Sequence, residues 1–266
     1  MHRSRRPRPG APRRLTMLAT AALSLAACRP ATAPYVPRDA ALRSAPVYIY
    51  PAAGTSGSPP RALVLFFGND VGFWSAHQRT AELLAAHGMS VVGLDLRRYL
   101  APLPTDEGAR ERTFAEGVLS LIAAARRELH AERSPLVLAG RSFGAEVALW
   151  TAAHACPPRL AGVLALGPGL RGHLRITAKD LANLGEPLEP GSFAVADALR
   201  SLPPAVRVAV VRGAHDHYGY ADSALQTAGG ARLRRLVVPS AGHSLKHLSL
   251  AGPAILGAAD WILAGG

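Results

Sequence analysis

Residues Pro135 to Ala155, PLVLAGRSFGAEVALWTAAHA, constrain the fold more than any other stretch. Leu136, Val137 and Leu138 make the short apolar run that a central parallel strand shows. Gly140-Arg141-Ser142-Phe143-Gly144 follows as a turn, and Ala145, Val147, Ala148, Leu149 and Trp150 begin a helix. Strand, G-x-S-x-G and helix in that order put a serine hydroxyl on a sharp bend above a sheet edge, a nucleophile elbow. The backbone there comes so close to its neighbours that glycine is needed on both flanks. In a chain with 26 glycines the bare pattern would be an ordinary Gly-rich turn. The strand before it and the helix after it give it meaning.

The remaining pattern alternates in the same way. Pro46 to Ala52 reads as an edge strand, Gly54 to Pro60 as a loop and Ala62 to Gly68 as a buried strand. A helix is predicted over Phe73 to His87, with Gly88 ending it. Ser90 to Leu96 is the next strand. A polar loop from Arg97 to Ala109 leads to a helix over Glu111 to Ala131, whose Phe114, Val118, Leu121, Ile122, Ala125 and Leu129 have helical spacing. After the elbow, strands are predicted at Leu160 to Pro168, Val206 to Gly213 and Arg232 to Ser240, and a closing helix at Pro253 to Leu263. Between about 169 and 205 periodicity is weak, which predicts a small cap or insertion. Strands alternating with helices predict an α/β fold, a mainly parallel central sheet with helices on both faces.

At 266 residues the chain has room for one sizeable core, so 46–266 is expected to be a single domain. The net charge of +12 is concentrated at the N-terminus: residues 1–27 hold six arginines and no acid, leaving 24 basic against 18 acidic residues beyond them. That residual balance suits a solvated Arg-rich surface first and an anionic membrane surface second, and no aromatic-interleaved basic patch points to nucleic acid. A basic start, an apolar run from Leu15 to Ala27 too short to span a bilayer, and Leu25-Ala26-Ala27-Cys28 read as a signal peptide of the lipoprotein type. Residues 1–27 would be removed, Cys28 lipidated, and 28–45, rich in Pro and Ala, would tether the domain on the periplasmic side of a membrane. Arg29 follows the cysteine where an aspartate would mark inner-membrane retention, and the anchor is expected in the outer membrane or on the outer face of the inner membrane. Cys156 is left without a disulfide partner and is expected to pack as a small hydrophobe.

Ligand sites in open α/β sheets lie beyond the carboxyl ends of the strands. The turns expected there carry Ser142, then His215-Asp216-His217, then Ala241-Gly242-His243, and, after the first buried strand, Gly68-Asn69-Asp70. Ser, Asp, His is the chain order of the α/β-hydrolase fold. The expected roles are Ser142 as nucleophile, His243 as proton carrier and Asp216 as the acid that orients it, with His247 and Asp222 as the competing positions. The backbone N–H of Phe143 and one from Asn69 or Asp70 would form the oxyanion hole. His215 and His217 flank the acid, but no third ligand at fitting spacing suggests a metal. No cofactor is expected.

Val64 to Leu100 together with Ala139 to Val147 resemble the VirJ/AcvB type of bacterial virulence-associated α/β-hydrolases. Val91-Val92-Gly93-Leu94-Asp95, Arg98-Tyr99 and the elbow through Glu146 carry the likeness. The loop Gly68 to Trp74 departs from it, being longer and less glycine-rich. Members are periplasmic, some cleave the aminoacyl ester of lysyl-phosphatidylglycerol, and some are tied to type IV secretion. The resemblance implies a serine esterase acting on an ester at the membrane; if the substrate carries a lysyl ammonium, Asp70 and Asp95 are candidate partners by their position at the strand ends. The competing readings are a carboxylesterase for small soluble esters, and a non-catalytic lipoprotein that scaffolds an envelope or secretion complex through a protein partner.

Overall fold

The structure, a computed structural model, describes residues 35–54 and 58–265. The expected signal segment 1–27 and the expected lipidation site Cys28 lie outside the described residues.

The strands are β1 (Val47–Tyr50), β2 (Ala62–Phe67), β3 (Met89–Leu94), β4 (Leu136–Arg141), β5 (Leu160–Leu166), β6 (Arg171–His173), β7 (Ser192–Ala194), β8 (Arg207–Gly213) and β9 (Leu233–Val238). Seven of them form one sheet in the order β1-β3-β2-β4-β5-β8-β9. β1 runs antiparallel to β3, and all other pairings in that sheet are parallel. β2 and β4 lie side by side while their connections leave in opposite directions. The loops after them therefore meet at a topological switch point, where open α/β sheets bind ligands.

The helices are α1 (Ala40–Ser44), α2 (Ser75–Ala86), α3 (Leu96–Leu100), α4 (Glu107–Glu128), α5 (Phe143–His154), α6 (Ala178–Leu181), α7 (Val195–Ser201), α8 (Asp222–Gly229) and α9 (Leu248–Leu263). Both sheet faces are covered. Side chains of α2 and α9, such as Leu84 and Ile255, pack on Val64, Val91 and Val211. Side chains of α4, α5, α7 and α8, such as Phe114, Leu149 and Leu199, pack on Leu65, Leu138 and Val163. All six residues of each of β2, β3 and β4 are buried, which is why these strands read as mainly apolar runs, with Ser90 in β3 and Arg141 at the end of β4 the polar exceptions.

Several boundaries differ from expectation for physical reasons. From Tyr35 on, the expected tether is docked. Tyr35 Oη and the Arg38 and Asp39 amides donate to Glu128, Arg127 pairs with Asp39, and Leu42 is buried. The expected loop after β3 contains α3, because the Asp95 carboxylate accepts from Arg98 N–H and caps it. α4 begins four residues earlier than predicted, where Asp106 caps it through Ala109 N–H. α9 begins at Leu248, with Pro253 inside it on an exposed position where the missing N–H leaves a carbonyl to water. The cap is shorter than 169–205: β6 and β7 pair as a small ribbon enclosing α6, but α7 buries Val195, Ala198 and Leu199 in the main core.

Candidate active site

The elbow is built by the close approach of β4, α5 and the loop after β2. A side-chain carbon on Gly140 would lie 2.0 Å from Gly144 O, and one on Gly144 would lie 2.2 Å from Gly68 O. Neither position admits anything but glycine. Ser142 is held at φ 52°, ψ −127°, a conformation that an L-residue keeps only when its surroundings enforce it. The Ser142 N–H donates to Leu166 O at 2.8 Å, pinning the bend to β5.

Beyond the ends of β8 and β9 the chain brings two further side chains to this bend. His243 Nε2 lies 2.9 Å from Ser142 Oγ, and His243 Nδ1 lies 3.0 Å from Asp216 Oδ1. The competing positions stand elsewhere: Asp222 pairs with Arg212 and Arg235, and His247 is exposed at the start of α9. His215 is exposed, and His217 Nδ1 is 4.0 Å from Asp216 Oδ1. Among the described residues, no group of His, Cys, Asp and Glu has the arrangement of a metal site.

Asp216 is fixed from its other side. Its Oδ2 accepts from Arg212 Nη1 at 2.8 Å and its Oδ1 from Tyr218 N–H at 2.9 Å. Burial pushes this carboxyl up, but the His243 hydrogen bond and charge, the Tyr218 amide and the Arg212 charge outweigh it and hold it below the usual range. Arg212 itself is buried, spanning Asp216, Asp222 Oδ1 at 2.6 Å and Pro168 O at 2.5 Å. A second buried arginine, Arg141, lies directly before Ser142. It donates to Ser244 O and to Thr80 Oγ1, so it ties the elbow to the loop that carries His243. Burial, with Arg79 nearby, lowers its pKa to about 10. Sequence reasoning missed both arginines, although each is a charge at the end of an otherwise apolar strand.

Phe143 is the first residue of α5, where a backbone N–H has no intrahelical acceptor. Of the two expected companions, the Asn69 N–H is already engaged: Asn69 and Gly72 exchange backbone hydrogen bonds at 3.3 and 3.0 Å, closing a tight turn with Asp70 and Val71 at its tip. The Asn69 N–H thus has an acceptor within the loop, and the Asp70 N–H has one in its own carboxylate, so either donor would have to turn toward the substrate. Asp95 is corrected as a substrate residue. Its side chain is buried beneath this loop, against Gly72, and caps α3. Cys156, expected to be packed, is exposed at φ 42° beyond α5, where Pro157-Pro158 turn the chain.

A cavity of about 60 Å³ lies between the elbow and the cap, lined by Ser142, Phe143, Asp70, Glu146, Asp180 and Glu186 among others. Four of its lining residues are acids, and Arg171 is the basic one. Glu146 Oε1 accepts from Gly169 N–H at 2.9 Å and Glu186 Oε1 from Leu170 N–H at 2.6 Å. Burial raises the Glu146 pKa to about 8, with the charges of Glu186, Asp180 and Asp70 adding to it. Burial likewise lifts Asp70, and the Asp180 charge reinforces that. Asp180 is itself held low, because hydrogen bonds from His173 and Thr177 and the His173 charge overcome the upward push of its burial.

The family described as bacterial virulence protein (VirJ) matches residues 61–245, most of the domain and every residue of this site. The chain belongs to the VirJ family. Among curated proteins none matches it. Solved structures show the same α/β-hydrolase fold at low identity. Est1E from Butyrivibrio proteoclasticus is 13% identical at a TM-score of 0.58, covering 82% of this chain and 93% of its own. A carboxyl esterase from Bacillus coagulans is 14% identical at 0.57, covering 81% and 92%. Esterase 2 of Thermogutta terrifontis, solved phosphorylated by paraoxon, is 18% identical at 0.55, covering 82% and 87%.

Proposed function

We propose that this VirJ-family protein is a serine ester hydrolase. The observation that carries the reading is the continuous relay Ser142 Oγ to His243 Nε2, and His243 Nδ1 to Asp216, at 2.9 and 3.0 Å. Ser142 attacks the ester carbonyl while His243 takes its proton, and His243 then delivers that proton to the departing alcohol. Water drawn through the same imidazole cleaves the acyl-serine and releases the acid. Asp216 holds the tautomer in which Nδ1 carries hydrogen and Nε2 is free. The N–H groups of Phe143 and of Asn69 or Asp70 stabilise the tetrahedral oxyanion, each typically worth about 3 kcal/mol of barrier.

The substrate we propose is an aminoacyl ester of a phospholipid, such as lysyl-phosphatidylglycerol, met on the periplasmic side of a membrane. Support comes from the acids around Ser142. In an aminoacyl ester the α-ammonium sits on the carbon next to the scissile carbonyl, so it enters with the reacting group. A small cavity whose lining carries Asp70, Asp180 and Glu186 against the single basic residue Arg171 favours that cation and disfavours an acyl group carrying a carboxylate. Export and lipid attachment at Cys28, expected from residues 1–28, fit the same reading.

Hydrolysis of aminoacyl-phosphatidylglycerol in vesicles, beside a neutral p-nitrophenyl ester, tests it. The wild type is expected to cleave both, with Ser142→Ala inactive on both. Preference for the neutral soluble ester over the aminoacyl lipid would overturn the substrate assignment. A folded wild type inactive on every ester would overturn the hydrolase assignment.

A further inference from the structure

Among the described residues nine large apolar side chains are exposed, and four of them, Tyr35, Val36, Val237 and Leu250, belong to other parts of the surface. The other five, Val71, Leu181, Leu184, Leu188 and Tyr220, each adjoin a residue that lines one cavity. Val71 follows Asp70, and Leu181 follows Asp180. Leu184 lies between Asn183 and Gly185, Leu188 follows Pro187, and Tyr220 donates from its hydroxyl to Glu186. Each of those neighbours lines the cavity that holds Ser142. Leu184 and Leu188 are 71% and 79% exposed, far beyond what a side chain packed on its own domain shows.

The loop that carries His243 adds the exposed cation Lys246. Arg79, Lys246 and His247 are exposed, and Arg79 reaches Lys246 O at 3.4 Å. Lys246 and His247 lie in the loop that carries His243, beyond the carboxyl end of β9. Exposed apolar side chains thus adjoin the cavity's lining, and exposed cations accompany the loop that carries His243.

We propose that this collar is an interfacial docking surface that seats the mouth of the site on an anionic phospholipid bilayer. The five side chains come from three separate segments, each next to residues that line the cavity of Ser142. A protein seated on them would close the entrance to Ser142. A bilayer surface would instead deliver an ester lipid to it. Leucines at protruding positions enter the boundary between headgroups and acyl chains, and neighbouring Lys and Arg meet anionic headgroups. The inference rests on the ester-hydrolase reading for what passes through the mouth, not for the contact itself.

The contact is read without turnover. In the full chain carrying Cys28→Ser, so that no attached lipid contributes, a tryptophan is placed either at the collar (Leu184→Trp) or at the far pole (Val36→Trp). Val36 is exposed and lies beside Arg38, which is held at the last residue of α4, at the amino-terminal edge of the sheet. Vesicles of phosphatidylglycerol and brominated phosphatidylcholine are expected to quench the fluorescence of the Leu184→Trp protein and to leave that of the Val36→Trp protein unchanged. Each signal is read as the difference from the parent chain, whose own tryptophans are common to both. Equal quenching in the two variants, or none in Leu184→Trp, would overturn the proposal. So would salt-insensitive self-association that Leu181→Ser/Leu184→Ser/Leu188→Ser abolishes, since that would make a second copy of the chain the occupant. In turnover, the same triple variant should lose about tenfold or more on vesicle-borne aminoacyl lipid while a soluble ester is cleaved within about twofold of wild type. Equal loss on both substrates would contradict it. An inactive wild type, with the Leu184→Trp protein still quenched, would refute the hydrolase reading and leave the docking surface standing.

Discussion

Arg212 is the residue whose replacement reports most on how the site is held. Its guanidinium is buried, with 2% of its side chain accessible, and it binds one carboxylate that is fully buried and another that is nearly so, Asp216 and Asp222. Arg212→Gln removes the charge and the fork. Asp222 keeps Arg235, and Asp216 keeps His243 and the Tyr218 amide, but Asp216 Oδ2 and Pro168 O lose their donor. Breaking a buried ion pair from one side costs about 3–5 kcal/mol. The residual partners argue for the lower end, about 3 kcal/mol, or a fall in melting temperature of roughly 6–12 °C for a domain of this size. Urea unfolding at neutral pH measures the first and calorimetry the second. The pH dependence has a definite sign. Asp216 is held below its ordinary value, so it adds stability above the unfolded carboxylate value and loses it as pH falls through the folded one. Without Arg212 that depression shrinks, and the variant should unfold at a higher pH on acidification. Ester turnover should fall about 10–100-fold as Asp216 and His243 lose their fixed orientation, with partial recovery in Arg212→Lys. A change below about 1 kcal/mol, the size of an exposed ion pair, would refute the reasoning.

Other outcomes follow from the same structure. Ser142→Gly should abolish turnover yet raise stability by about 1–2 kcal/mol in urea unfolding, because glycine relieves the strained backbone at φ 52°. Gly144→Ala should destabilise by at least about 3 kcal/mol or prevent folding, read by yield and near-ultraviolet circular dichroism, because its Cβ would meet the Gly68 carbonyl. Glu146, raised to about 8, is protonated when folded and ionised when unfolded between its two pKa values. Stability should therefore fall as pH rises through that window, by at most about 1.4 kcal/mol per pH unit, and Glu146→Gln should flatten the slope while its amide oxygen still accepts from Gly169. Asp70→Asn should raise KM for a cationic aminoacyl ester more than for a neutral ester in steady-state kinetics.

The fold was legible because its signals are local. β2, β3 and β4 are buried on both faces and so read as apolar runs, and glycines at 140 and 144 mark a bend that no other residue permits. The relay Ser142, His243 and Asp216 could be proposed because each follows a strand on the same sheet edge, which turns distance along the chain into proximity. What escaped notice depends on contacts no local pattern records. Arg141 and Arg212 interrupt apolar strands, and that interruption was the available signal. Their partners, Ser244, Thr80, Asp216 and Asp222, could be found only in three dimensions. Asp95 misled because a carboxylate at a strand end resembles a binding residue as much as a helix cap. The difference lies in α3, too short to show periodicity. Residues 35–45 looked like linker because one buried leucine and a few hydrogen bonds to Glu128 leave no repeating pattern.

The central claim is that Ser142 is a nucleophile activated by His243. It is tested most directly by treating the folded protein with a fluorophosphonate and locating the adduct by peptide mass spectrometry. The account predicts one phosphonylated residue, Ser142, with labelling slowed at least about 100-fold in His243→Ala. A wild-type protein that stays unmodified, or that is modified at another serine at a rate indifferent to His243, would contradict it.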